Sequence, residues 1–145
     1  MFYLSITFLL SVFWIVLSGH FDPLLLERGC KAAVVAGCNT VIGLAKLFGL
    51  DTVENAAFTA SLDTDLDGKV AASLRALRRY DLVYMHVKAP DLCAHDRRPE
   101  AKRDILERLD GALAPLTEAG VIVAVTSDHS TDSNTGSHTA DPVPS

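Results

Sequence analysis

The pattern of apolar runs predicts an α/β domain built on a mainly parallel sheet. Three observations point to it. DLVYMHVK (81–88) and VIVAVTS (121–127) are short, strongly apolar runs; amphipathic stretches of helical period precede and separate them; and each run ends in a polar cluster. Strands covered on both faces read as nearly continuous apolar runs, and successive parallel strands need a helical crossover between them.

The elements follow in order from residue 27. KAAVVAG (31–37) is a short apolar run of strand type. NTVIGLAKLFGL follows, with Asn39 as a candidate N-cap and Val41, Leu44, Ala45 and Phe48 on one stripe. TVENAAF (52–58) is a weak strand candidate. DGKVAASLRALRRY (67–80) reads as a helix that Asp67 can cap, with Val70, Leu74 and Leu77 on one face and Arg75, Arg78 and Arg79 mainly off it. The run 81–88 is a buried strand. RPEAKRDILERLDGALAPL (98–116) is the clearest helix, with Pro99 near its start and Ile105, Leu109, Leu113 and Leu116 along a face. Gly120 ends that connection and 121–127 forms a second apolar strand.

A chain of 145 residues has room for one domain and a respectable core. With 49% hydrophobic and 21% charged residues it is a folded globular chain rather than a disordered one. The net charge of -5, with the basic residues dispersed, excludes the basic stripe of a nucleic-acid binder. Cys30, Cys38 and Cys93 are odd in number and lack CxxC spacing, so neither a disulfide framework nor a thiolate zinc site is expected, and reduced, mostly buried thiols are. No Asn-x-Ser/Thr acceptor occurs.

Residues 2–17 carry no charge. At about 1.5 Å per residue they fall just short of crossing a bilayer core. A signal peptide would want a basic start and a small-residue cleavage site, and neither is present. Three readings stand: an uncleaved membrane anchor, a buried strand or helix, or sequence foreign to the fold. Composition changes at 19–23, which sets residues 1–22 apart from a domain over 23–145.

Open α/β sheets gather their chemistry just beyond the carboxyl ends of the strands. Strand 81–88 runs into KAPDLCAHD, and strand 121–127 into SDHSTDSNTGSHT. Asp91 and His95 are four positions apart, which on a helical turn puts carboxylate and imidazole on the same side. Asp128 and His129 are neighbours and converge only if the backbone has left the strand by about Asp128; His138 returns from the end of the polar loop. These five residues make a metal site the sharper reading, over a polar C-terminal loop. Their mixed O and N donors suit Mn²⁺ or Zn²⁺ better than Mg²⁺ or Ca²⁺, and they suffice for one ion and part of a second. DTDLDG (63–68) imitates the opening of a calcium loop, but its twelfth position is Leu74, so a solvated, helix-capping loop is expected. His86 is read as a core histidine, with support of a metal ligand as the alternative. Lys88, Arg97 and Arg98 lie near enough to meet an anion, although each is also ordinary for a surface.

DLVYMHVKAPDLCAHDRRPEAKRDILERLD, VTSDHS and GSHTADPVP, in this order and spacing, resemble the C-terminal part of the archaeal-type cofactor-independent (2,3-bisphosphoglycerate-independent) phosphoglycerate mutases of the alkaline phosphatase superfamily. The resemblance covers residues 27–144, with 27–60 similar to the segment that leads back from the family's inserted substrate domain; residues 1–22 have no counterpart. It implies a partial alkaline phosphatase-like three-layer sandwich that holds two divalent ions, Mn²⁺ or Zn²⁺, with Mg²⁺ a further option. Asp91, His95 and His138 would bind one ion, and Asp128 and His129 the other. The implied substrate is phosphoglycerate, the implied pathway role is glycolysis and gluconeogenesis, and the implied location is the cytoplasm, with a membrane contact through residues 2–17 as the alternative. The family's nucleophilic serine and early Asp-Gly strand have no counterpart in these 145 residues, so no catalytic residue is assigned and turnover by this stretch alone is not expected. Ala94 stands where the family commonly has Gly. Another phosphoryl-transfer or hydrolytic enzyme of the superfamily, or a non-catalytic metal-binding remnant, are the competing expectations.

Overall fold

The computed structural model describes residues 3–6, as backbone, and 29–143. Five parallel strands form one sheet in the order β3-β2-β4-β1-β5, where β1 is Tyr3–Ile6, β2 Ala32–Val35, β3 Asp51–Val53, β4 Leu82–Met85 and β5 Ile122–Val125. Among the described residues four helices connect them: α1 (Asn39–Leu47), α2 (Leu66–Ala76), α3 (Ala89–His95) and α4 (Pro99–Glu118). A two-stranded antiparallel hairpin, β6 (Ser130–Asp132) and β7 (Ser137–Thr139), follows the sheet. The expected α/β class with a parallel sheet is thus present.

Alternation along the strands sorts the core into two layers. Val35, Val83 and Met85 join α2, α3 and α4 through Val70, Cys93, Ile105 and Leu116. Val34 and Ala36 face the other way, onto Val41 and Ala45 of α1. Helices therefore cover both faces, and β2 is buried at every position.

Several local readings change. Asn39 is the first residue of α1 and not its cap; Cys38 holds that position without a side-chain bond. Asp65, not Asp67, caps α2, its Oδ1 accepting from Gly68 N at 2.8 Å. Asp67 sits in the first helical turn, where a carboxylate meets the positive end of the helix. The calcium-like loop is thus a capping loop, as expected. Of the cysteines, only Cys93 is buried and Cys30 and Cys38 are half-buried; all three are free. β5 is apolar but lies at the edge of the sheet, so Ala124 and Val125 are exposed.

Within the N-terminal apolar run, Tyr3–Ile6 pairs with β4 on one side (Tyr3↔Leu82) and β5 on the other (Tyr3↔Ile122). That pairing makes those four residues a strand, one of the readings given for the run. The rest of the run, 7–17, and the boundary drawn at 22 lie outside the described residues. Among the described residues no helix is long and apolar enough to cross a membrane.

Candidate metal centre

The carboxyl ends of β4 and β5 are separated only by β1, and the chain leaving each brings its polar cluster to the same place. After β4, the His86 N–H still bonds Val35 O at 2.9 Å, and Pro90 then opens the short helix α3. On α3, Asp91 and His95 share a face as the i, i+4 spacing requires, with His95 Nε2 3.4 Å from Asp91 Oδ1.

After β5 the chain leaves the sheet at Thr126, and Ser127 Oγ donates to His129 O at 2.8 Å. This bend lets Asp128 and His129 converge, with His129 Nε2 3.5 Å from Asp128 Oδ2. The segment read as a polar loop is the β6–β7 hairpin. It returns His138 opposite Thr131 in antiparallel register, over a turn in which Asp132 accepts from Asn134 and Thr135 and Gly136 takes φ 72°. His138 Nε2 then lies 3.2 Å from His95 Nε2, and its ring stacks on that of His129 at a centroid distance of 3.7 Å.

One ligand atom each from Asp91, His129 and His138 falls within 4.8 Å of the others. Donors bound to one ion at about 2.1 Å sit at most about 4.2 Å apart, so small rotamer adjustments would close the group on a divalent cation. A carboxylate and two imidazoles fit Mn²⁺ or Zn²⁺. His95 touches two members of this group and Asp128 touches the third, so the five residues singled out in the sequence form one contiguous cluster.

The polar supports were not read from the sequence. Thr131 Oγ1 donates to Asp91 Oδ1 at 2.8 Å and lies 3.1 Å from His129 Nδ1, so one hydroxyl ties the two halves together. The Lys88 ammonium bonds Asp91 Oδ2. Burial works to raise the Asp91 pKa, but the Lys88 and Thr131 hydrogen bonds and the Lys88 charge outweigh it and hold the carboxyl below its ordinary range. The Gly136 carbonyl lies 2.8 Å from His95 Nδ1, which orients that ring with Nε2 toward the cluster. Thr131 lies directly opposite His138, and a period-2 reading of STD and SHT around the Asn134–Gly136 turn residues could have found the hairpin.

Two cationic or titratable groups lie beneath. Lys69 is only 1% exposed and donates to His86 O at 3.0 Å and Thr59 O at 3.3 Å. Burial draws its pKa down from 10.5 to about 8. His86 is drawn down to about 4, first by burial and then by the charges of Lys69 and Lys88, so its imidazole is neutral at neutral pH, in keeping with a core histidine.

A family model described as the metalloenzyme superfamily matches residues 22–145. Curated relatives named 2,3-bisphosphoglycerate-independent phosphoglycerate mutase include those of Methanosphaerula palustris, 39% identical over 127 residues, and Methanopyrus kandleri, 38% identical over 128. These alignments cover 87% and 85% of this chain, and the chain spans only 31% and 30% of those relatives. Among solved structures, the PH0037 protein from Pyrococcus horikoshii is similar with a TM-score of 0.78 at 29% identity, over 85% of this chain and 39% of that one. The cofactor-independent phosphoglycerate mutase from Thermoplasma acidophilum shares the fold, with a TM-score of 0.55 at 24% identity over 72% of this chain and 26% of its own.

Proposed function

Because the chain belongs to the metalloenzyme superfamily, we propose that residues 23–145 are the metal-holding portion of a divalent-metal-dependent phosphoglycerate mutase, which interconverts 2- and 3-phosphoglycerate in the cytoplasm. The observation that carries this reading is the convergence of Asp91, His129 and His138 ligand atoms within 4.8 Å at the carboxyl ends of β4 and β5. His95 and Asp128 adjoin this group; by the resemblance Asp91, His95 and His138 serve one ion and Asp128 and His129 the other, so the three converging atoms are drawn from both sets. When bound, such ions stabilise charge on the oxygens of a phosphoryl group in transfer.

This chain's own residues supply the frame. Lys88 and Thr131 keep Asp91 ionised and aimed, which favours cation binding over protonation. Gly136 O holds His95 in one orientation. Among the described residues no serine sits in a strand-to-helix elbow, so in this reading the phosphoryl-accepting nucleophile comes from a segment outside the resemblance.

The test is a mutase assay on the full 145-residue chain with Mn²⁺ or Zn²⁺, alone and mixed with the remaining N-terminal portion of the Methanosphaerula palustris relative. Interconversion that appears only in the mixture, and disappears with His138→Ala, is the expected result. Hydrolysis of phosphate or sulfate esters without isomerisation would move the assignment to another reaction class of the superfamily.

A further inference from the structure

Arg97 is the only described non-glycine residue in the left-handed region, with φ 54°. Its position explains the backbone. The Arg97 N–H donates to Ala94 O at 3.0 Å and the Arg98 N–H to Cys93 O at 2.8 Å, the bond pair that ends a helix in a Schellman motif. That motif places a left-handed residue just past the helix, a position that glycine or asparagine takes at least cost. A long cationic side chain there carries strain, and strained backbone of this kind collects at functional sites.

The side chain lies against the turn that leads to the candidate centre. Arg97 Cγ and Nε lie 3.5 Å from the point a Cβ on Gly136 would occupy, so the stem lies against the β6–β7 turn. The carbonyl of that same Gly136 orients His95, and the turn leads two residues on to His138. Two other cations near the cluster are occupied, Lys88 by Asp91 and Lys102 by Thr131 O at 2.9 Å, while Arg98 lacks the left-handed backbone of Arg97. Among the described residues the exposed Arg97 guanidinium has no acceptor.

We propose that Arg97 is the oxyanion-binding residue of this centre, and that its guanidinium takes the phosphate group of a phosphate monoester at the His95–His138 end. A planar fork of donors suits two phosphate oxygens better than an ammonium does. A divalent ion held by the neighbouring imidazoles would supply the anion's second contact, and to that extent the inference rests on the mutase reading.

The probe is inorganic phosphate, measured by equilibrium dialysis on the full chain, both metal-free and Mn²⁺-loaded, with Mn²⁺ content determined separately. Arg97→Gly relieves the backbone and keeps the chain folded; it should raise the melting temperature by a few degrees while weakening phosphate binding about tenfold, the loss expected for a charge-assisted hydrogen bond. Arg97→Gln should weaken binding similarly, Arg97→Lys should recover part of it, and Arg103→Gln, whose partner is Asp104 at 2.9 Å, should leave it unchanged. Phosphate affinity of Arg97→Gly within twofold of the unaltered chain, or no phosphate binding by the unaltered chain in either state, overturns the assignment. Absence of bound Mn²⁺ in every variant would instead defeat the metal-centre reading, while the metal-free comparison still decides the role of Arg97.

Discussion

Lys69 should give the protein a stability that rises with pH above neutrality. Its ammonium is withdrawn from water beneath β4, with two backbone carbonyls as partners. A fall in pKa from 10.5 to about 8 means that the folded state disfavours the charged form by about 3 kcal/mol, at about 1.4 kcal/mol per unit. Below about pH 8 the lysine is protonated both folded and unfolded, and the whole cost is present. Between about 8 and 10.5 the folded chain releases a proton that the unfolded chain retains, so stability increases, and above both values the gain is complete. Integrated from pH 7 to 9.5, the gain is about 2 kcal/mol. Cys30 and Tyr84, whose pKa values burial raises, pull in the opposite direction, so the comparison is made with Lys69→Met. That variant leaves the Thr59 and His86 carbonyls without their donor at every pH, a constant offset of about 1–3 kcal/mol. Urea denaturation at pH 7 and 9.5 should show the unaltered chain gaining about 2 kcal/mol more than Lys69→Met. Equal pH responses in the two proteins would refute the buried-charge argument.

Three other outcomes follow from single contacts. A Cβ at Gly37 would lie 1.6 Å from Phe58 O, so Gly37→Ala must displace the 58–59 backbone and should cost about 3 kcal/mol or more in a denaturation experiment. Asp65→Ala should cost about 1 kcal/mol through loss of the α2 cap, and Asp67→Ala less than half of that, which chemical denaturation of both variants can separate. Thr131→Val removes the hydroxyl that joins Asp91 to the His129 side and should weaken Mn²⁺ affinity about 10-fold to 100-fold by isothermal titration, with the secondary structure by circular dichroism unchanged.

The helices and the central strands were legible because burial on one stripe or on both faces leaves a period in the sequence; Val41 and Ala45 of α1, and Ile105, Leu109 and Leu116 of α4, are buried as that period requires. That the five residues expected as ligands would lie together was legible for a different reason. They follow strand ends, and a parallel sheet turns strand ends into neighbours. What the sequence hid is mostly long-range. Nothing in residues 3–6 says that they insert between β4 and β5. Lys69 reads as an ordinary helix surface lysine, and only the tertiary packing of α2 against the sheet buries it. The caps moved by one or two residues because Asp65 and Asp67 are both competent, and the loop entering α2 decides between them. Thr131 could not be singled out until the hairpin register placed it between Asp91 and His129.

This cluster should bind a divalent metal through its own side chains. The most direct measurement is the Mn²⁺ and Zn²⁺ content of the purified 145-residue chain after loading and desalting, by elemental analysis, beside Asp91→Ala and His138→Ala. At least one equivalent in the unaltered chain, with most of it lost in both variants, is the result predicted by the convergence of Asp91, His129 and His138. Equal metal content in all three proteins would contradict it.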